Sequence, residues 1–316
     1  VRPMEKEFAP EEEALYRLRH FLASLGLTEA MNMTFSALED VRRTGLDAAY
    51  SDMVALENPL SENLSAMRTT LAPGLLANVL HNLRFGSRNV ALFEVGPVYS
   101  PAPGAHLPAQ GTRLGIVLSG NAGGEHWSTP ARPYDFYDAK GVLEAVLGSA
   151  GVQGVFQPTD VRTLQPGQSA EVYLGTERVA WLGRVRPEVL EAWGIDQPVF
   201  LLELDLADVL RKQPPTPQFE RIPKFPPSLR DMAVVVDADL PADALRETAE
   251  KAGGKLLKRV NIFDVYAGKQ VPSGKKSVAL GLVFQSEERT LTDGDTQQAW
   301  ERILKDLEKT YGAQLR

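Results

Sequence analysis

Few side chains in this sequence have the type and spacing that chemistry demands. The stretch Gly268-Lys-Gln-Val-Pro-Ser-Gly274-Lys275-Lys276-Ser277 looks like a phosphate-cradling loop, but such a loop needs four residues between its glycines and Ser or Thr directly after its first Lys. Here five residues intervene, and Lys276 follows Lys275. The segment also joins two predicted strands, whereas a phosphate loop opens a helix. His106 and His126 lie in loop-like sequence with no His or carboxylate at ligand spacing, and His20 and His81 lie on predicted helices where they cap or pack. Asp293 and Asp295 have the spacing of a cation site, yet they follow Thr292 at the start of a helical pattern and read as helix-capping residues. With no Cys, a thiol nucleophile, a disulfide framework and a Cys-ligated metal centre are excluded, which suits a reducing cytoplasm. With four His, metal and triad chemistry are thinly supplied, and no metal site is expected.

The elements that position the remaining candidates are spread over 316 residues, a length for two or three domains. Hydrophobic residues make up 43% and charged residues 24%, as in a globular chain, and no apolar run approaches the roughly 20 residues of a membrane helix. The opening Val1-Arg-Pro-Met-Glu-Lys forms no signal or transit peptide, and the missing initiator Met suggests a fragment or trimmed chain. Net charge is −7, divided as −8 over residues 1–216 and +1 over residues 217–316. That asymmetry allows nucleic-acid contact at the C-terminal end and argues against a protein that coats DNA.

Prolines at 214, 215, 217, 223, 226 and 227 mark an extended, semi-rigid linker, placed at residues 213–224 between a domain at 1–212 and another at 225–316. In the first domain, Pro10 to Gly26 reads as an amphipathic helix with Leu15, Leu18, Leu22 and Leu25 in one stripe, and a second helix follows Pro73. Short β-branched or aromatic runs at 90–99, 114–119, 170–174, 179–182 and 199–204 read as strands of an antiparallel sheet, an α+β arrangement. After the linker come a strand at 231–237, a helix at 241–252, strands at 258–265 and 276–284, a helix at 292–311 and an edge strand at Ala313-Gln-Leu-Arg. That β-α-β-β-α-β order is the ferredoxin-like sandwich, which by itself fixes no function.

Longer blocks say more. Asn58-Pro-Leu-Ser-Glu-Asn-Leu-Ser-Ala-Met-Arg-Thr-Thr-Leu-Ala-Pro-Gly, Leu92-Phe-Glu-Val-Gly-Pro-Val-Tyr, Asp135-Phe-Tyr-Asp-Ala-Lys-Gly and Pro166-Gly-Gln-Ser-Ala-Glu-Val-Tyr-Leu-Gly resemble, in order and spacing, the bacterial phenylalanyl-tRNA synthetase β-subunit family. Phe225-Pro-Pro-Ser-Leu-Arg-Asp-Met, Phe263-Asp-Val-Tyr-Ala-Gly, Gly274-Lys-Lys-Ser and Glu288-Arg-Thr-Leu-Thr-Asp are similar to that family's ferredoxin-fold anticodon-binding domain. The resemblance runs from about residue 8 to the end. It implies the C-terminal part of a longer subunit, without the upstream OB-fold, editing and acidic magnesium-binding segments.

The resemblance further implies that residues 1–212 form a class II synthetase-like module without catalysis. A working class II site holds ATP phosphates with an Arg after its second motif strand and another in a Gly-rich third motif. Here Ser100 stands at the first position, and Trp181-Leu-Gly-Arg-Val-Arg-Pro-Glu-Val lacks the third-motif pattern. Arg68, Arg184 and Arg186 are read as surface or interface salt bridges, and Gln165 replaces an expected His at a position with no assigned chemistry.

In the C-terminal domain the residues at the family's nucleotide-contacting positions are Ala233, Asp264, Tyr266 and Ser277. Asp264 and Tyr266 are two apart on a strand, hence on one face, expected to be a central-strand pair open to solvent. Such a Tyr can stack a splayed base and such an Asp can accept from a guanine edge; the bland alternative is an edge Tyr and a turn-capping Asp. Arg230, Lys275 and Lys276 are candidate phosphate contacts, the two lysines equally readable as a solvated hairpin tip.

The implied function is tRNA binding and assembly within phenylalanine–tRNA ligase, in the cytoplasm, with the catalytic α subunit and tRNA(Phe) as partners in an α2β2 enzyme. No cofactor is expected on this segment, while the holoenzyme would use ATP and magnesium. An active class II-like ligase and a metabolite-binding regulatory module are the alternatives.

Overall fold

The structure, a computed structural model, describes residues 9–46, 53–123, 127–128, 130–211, 219 and 222–316. His126 and most of the expected linker lie outside the described residues. The chain divides into two compact units, Val1–Thr216 and Pro217–Arg316.

The first unit opens with α1 (Pro10–Ser24), whose Pro10 stands in the first turn with Glu11, Glu12 and Glu13 at the positive end of the helix dipole. Short strands β1 (Thr28–Glu29) and β2 (Phe35–Ser36), helix α2 (Leu38–Arg43), and strands β3 (Val54–Ala55) and β4 (Ala66–Met67) follow. Next come α3 (Ala72–Arg84), β5 (Val90–Ser100), β6 (Ala109–Ser119), the small pair β7 (Asn121–Ala122) and β8 (Arg132–Pro133), and α4 (Phe136–Ser149). The unit closes with β9 (Val155–Pro158), β10 (Leu164–Leu174), β11 (Glu177–Val185), α5 (Pro187–Trp193), β12 (Val199–Asp205) and α6 (Leu206–Arg211).

Seven strands form the main sheet in the order β1-β5-β6-β12-β11-β10-β9, antiparallel except for the β1–β5 pair. Both faces are covered. Leu114, Ile116, Leu118, Phe200, Leu202 and Leu204 pack with α1 and α4, while Val117, Val199 and Leu201 pack with α3 and α5. Burial on both faces is why residues 199–204 read as a nearly continuous apolar run. Helix α4 is marked in sequence by Asp135 and Asp138: the Asp135 carboxylate accepts from the Tyr137 and Asp138 amides, and Asp138 accepts from the Asp135 amide.

The arginines expected in surface or interface salt bridges behave differently from one another. Arg68 is 4% exposed and bonds the equally buried Glu94 at 2.6 Å, so its pair is internal. Arg186 bonds Asp160 at the surface, at 2.6 Å, and Arg184 has a buried Nε with no hydrogen-bond partner among the described residues. Only Arg186 matches the expectation, because the Arg68 side chain, just after β4, is buried against β5, where it meets the Glu94 carboxylate and the Pro97 carbonyl.

The second unit runs β13 (Ser228–Asp237), α7 (Ala242–Gly253), β14 (Leu257–Tyr266), β15 (Lys275–Phe284), α8 (Asp293–Tyr311) and β16 (Gln314–Leu315), with strand order β14-β15-β13-β16. The helices cover one face, over a core that includes Met232, Val234, Leu245, Leu280, Phe284 and Ile303. β16 is an edge strand, as expected. The strand carrying Asp264 and Tyr266 is not central but is the opposite edge. The α7 crossover leaves a strand's width between β13 and β14, and β15 fills it, so the first and third strands take the centre.

Helix α8 begins at the expected cap. Thr292 Oγ1 accepts from the Asp295 amide, the Thr292 amide donates to Asp295 Oδ2 at 2.9 Å, and Arg289 grips both Asp295 oxygens at 2.7 and 2.8 Å. Arg289 first, and then Thr292, hold the Asp295 carboxyl well below the carboxylate range. Because its folded pKa lies under the unfolded value of about 3.9, its contribution is complete above that pH and is lost as pH falls toward the folded value. Melting followed by circular dichroism should therefore show the second unit losing stability below about pH 4 more steeply in the native chain than in Asp295→Asn. Parallel profiles would refute this.

Candidate nucleic-acid interface

Alternation along β15 sends Val278, Leu280, Leu282 and Phe284 under the helices and leaves Ser277, Ala279, Gly281 and Val283 on the open face. On β13 the same rule buries Met232, Val234 and Val236 and turns Ala233 and Val235 outward. On β14, Val260 and Ile262 belong to the core, and unbroken alternation would send Asp264 and Tyr266 the same way. A bulge prevents it. Ile262 pairs with Leu280 but Asp264 pairs with Ala279, so Phe263 is an extra residue and the parity of the strand reverses. Asp264 then shares a rung with Ala279 and Ala233, and Tyr266 shares one with Ser277 and Val235.

The four family positions therefore meet on one face. Asp264 is exposed, Ala233 and Tyr266 are half-buried, and Ser277 is 3% exposed. A residue that sequence reasoning did not single out lies across them. The Arg316 amide donates to the Ala233 carbonyl at 2.9 Å, and its guanidinium bonds Gln270 Oε1 at 2.8 Å and Ser277 Oγ at 3.5 Å. The same guanidinium stands 5.3 Å from the centroid of the Tyr266 ring. The signal was the expected edge strand at Ala313-Gln-Leu-Arg, whose pairing beside β13 brings Arg316 to Ala233. Gly268 completes the setting: a Cβ there would lie 2.5 Å from Tyr266 Oη and 2.6 Å from Cζ, so only glycine lets the ring rest against this loop.

The candidate phosphate contacts separate. Arg230 pairs across from Leu282, on the helix side of the sheet, and its guanidinium is bonded to Asp293 at the start of α8. Lys276 pairs across from Val236, also on that side. Lys275 is on the open face, bonded to Asp237 at 2.7 Å. Arg230 and Lys276 are thus not brought to the Asp264–Tyr266 patch, and Arg316 is the cation that sits on it. A ring face, a carboxylate acceptor, a hydroxyl and a guanidinium within one patch can stack a base, accept from its edge and neutralise a phosphate.

In the first unit, a cleft of about 650 Å³ is lined by Thr70, Tyr99, Ser100, Arg113, Trp181 and Glu203 among others. Ser100 carries no charge; of the cleft's arginines, Arg113 is bonded to Glu203, which is 3% exposed and also accepts from the Thr70 hydroxyl and, at 2.8 Å, the Leu71 amide, and Arg178 is bonded to Glu171 at 2.6 Å, with Arg162 also on the lining. The strand of the third-motif region is β11, and the helix after it, α5, contains no Arg. A class II site would need free guanidinium groups at these places. Among the described residues no cluster of three His, Asp or Glu could hold a metal, and no helix is long and apolar enough to cross a membrane. His106 is exposed, the rings of His20 and Tyr16 meet edge-on, and that of His81 lies tilted against Phe85.

Comparison with known proteins accords with both units. Residues 1–206 match the family described as phenylalanyl tRNA synthetase beta chain CLM domain, and residues 223–316 match the ferredoxin-fold anticodon binding domain. The chain is 37% identical over 301 residues to the phenylalanine–tRNA ligase beta subunit of Symbiobacterium thermophilum, covering 94% of this chain and 34% of that one. With the corresponding subunit of Methylococcus capsulatus the identity is 39%, over 96% of this chain and 37% of the relative. It thus spans little more than a third of the length of these relatives. Among solved structures, the pyrrolysyl-tRNA synthetase of Desulfitobacterium hafniense superposes with a TM-score of 0.51 at 19% identity, covering 66% of this chain and 71% of that one, a likeness of fold alone.

Proposed function

Because this chain belongs to the phenylalanyl-tRNA synthetase β-chain family, we propose that it is the tRNA-binding and assembly part of a phenylalanine–tRNA ligase. The reaction is ATP-dependent attachment of phenylalanine to tRNA(Phe). In this reading the second unit holds the anticodon and the first packs against a catalytic α subunit, within a cytoplasmic α2β2 enzyme whose ATP and magnesium are used by α. The observation that carries it is the open face on which Ala233, Asp264, Tyr266, Ser277 and Arg316 converge. The net charge of +1 after residue 216 sets the second unit apart from the first, which carries −8 and would repel RNA more strongly.

Binding of cognate and anticodon-swapped tRNA to the chain is the test. Tyr266→Ala is expected to weaken cognate binding by about 1–3 kcal/mol, and Tyr266→Phe, which keeps the ring, much less. Asp264→Asn exchanges an acceptor for a donor on one side, so it should lower discrimination among anticodons more than affinity for any of them. Equal losses for both tRNAs in both variants would overturn the reading.

The first unit carries a second expectation. ATP–pyrophosphate exchange with phenylalanine should be absent from the chain freed of α, since Ser100 and the missing third-motif Arg leave ATP phosphates without their bidentate partners. Measurable exchange would mean that the first unit holds an intact nucleotide site.

A further inference from the structure

Phe263 is the bulged residue of β14, and its side chain is 59% exposed. A bulge can turn a strand's parity with any residue, and a polar one would be easier to hydrate. Here it displays an aromatic ring on the open face: a Cβ placed on Gly281 would meet Phe263 Cδ1 at 3.6 Å, so the ring lies over the bare backbone of β15. Gly281 pairs with Asp231 on one side and Asn261 on the other. Asp231 Oδ1 reaches to 3.8 Å of the same point, and Asp264, the next residue, is exposed. An open ring with two carboxylates at its margins suits a flat, apolar ligand whose edge donates hydrogen bonds.

We propose that Phe263, with Asp231, forms a second base-binding subsite for an unpaired nucleotide whose edge carries an amino group. The inference rests on the proposed anticodon reading and extends it along the sheet. The ring of Tyr266 stands at the Ser277 rung and that of Phe263 over Gly281, four residues further along β15, or about 13 Å. One base cannot stack on both, so the two rings serve different nucleotides of one loop. The carboxylates beside Phe263 repel phosphate, which directs the base and not the backbone to this subsite, while Arg316 supplies the cation at the other end.

The test uses the whole chain and the anticodon stem-loop RNA of tRNA(Phe), with 2-aminopurine substituted at one loop position at a time. Phe263→Ala should weaken binding of the stem-loop about 5- to 150-fold and abolish the fluorescence response at one position, while Tyr266→Ala abolishes it at another. Phe263→Trp should retain both affinity and response, and Asp231→Asn should alter the preference among bases at the Phe263 position alone. Because Phe263 is exposed, circular dichroism of Phe263→Ala should match that of the native chain, and Phe263→Leu provides a bulky non-aromatic control that must also lose the response. If Tyr266→Ala weakens binding but Phe263→Ala and Phe263→Leu change neither affinity nor fluorescence, the second subsite is refuted and the anticodon reading stands. If neither ring matters, both fall.

Discussion

Arg68→Met is expected to destabilise the first unit by about 3–5 kcal/mol, the largest single effect anticipated in the molecule. Arg68 and Glu94 are both almost fully buried and bonded at 2.6 Å, and Arg68 Nε also donates to the Pro97 carbonyl at 2.8 Å. Without the guanidinium, Glu94 would keep, among the described residues, only its bonds from Asn32, and its charge would sit buried without a counter-charge. The pair itself need not stabilise the fold much; the cost lies in breaking one half of it. The double variant Arg68→Met/Glu94→Met should therefore recover much of the loss. Three of the four tryptophans precede residue 217, so the denaturant-induced change in their fluorescence reports mainly on this unit. Equal losses in the single and double variants would place the cost in packing and not in charge.

Glu203 supports the second expectation. One of its oxygens accepts from Arg113, and the other from the Thr70 hydroxyl and the Leu71 amide at the start of α3. Glu203→Ala should cost about 3 kcal/mol, since it orphans a buried amide and hydroxyl and unpairs a cation. Glu203→Gln is close in shape yet should still cost about 1–3 kcal/mol: whichever way the amide turns, its NH2 group faces the Leu71 amide or the Arg113 guanidinium, both of which can only donate. A neutral result for Glu203→Gln, by the same fluorescence measurement, would mean that the carboxylate is held less rigidly than its bonds imply.

Much of this was legible in the residues, for identifiable reasons. The second unit's element order follows from alternation and from the Thr292-Asp-Gly-Asp cap, because local signals set those boundaries. What spacing could not supply was the lateral order of strands, which is why Asp264 and Tyr266 were placed on a central strand. Their facing is the subtler case. Two residues two apart share a face, but Val260 and Ile262 continue the same parity into the core. A bulge is written in the pairing with β15 and leaves no mark in β14 alone. Likewise Arg316 could be named only once β16 was paired beside Ala233, and the burial of Arg68 depends on Glu94, 26 positions away. The long-range pairs, and not the local elements, were the hidden part.

The irregular course of β14 also bears on the solubility of the chain. As an edge strand it offers one row of backbone donors and acceptors to any passing strand, next to the exposed side chains of Phe263 and Val265. A straight edge with that composition would be a template for cross-β growth. The register shifts at Leu257/Arg259 and Ile262/Asp264 interrupt the row twice within ten residues, and Lys258 and Arg259 charge its beginning. A second copy approaching this edge therefore finds no uninterrupted run long enough to dock against, so the same extra residue that turns Tyr266 outward also helps to keep neighbouring molecules apart.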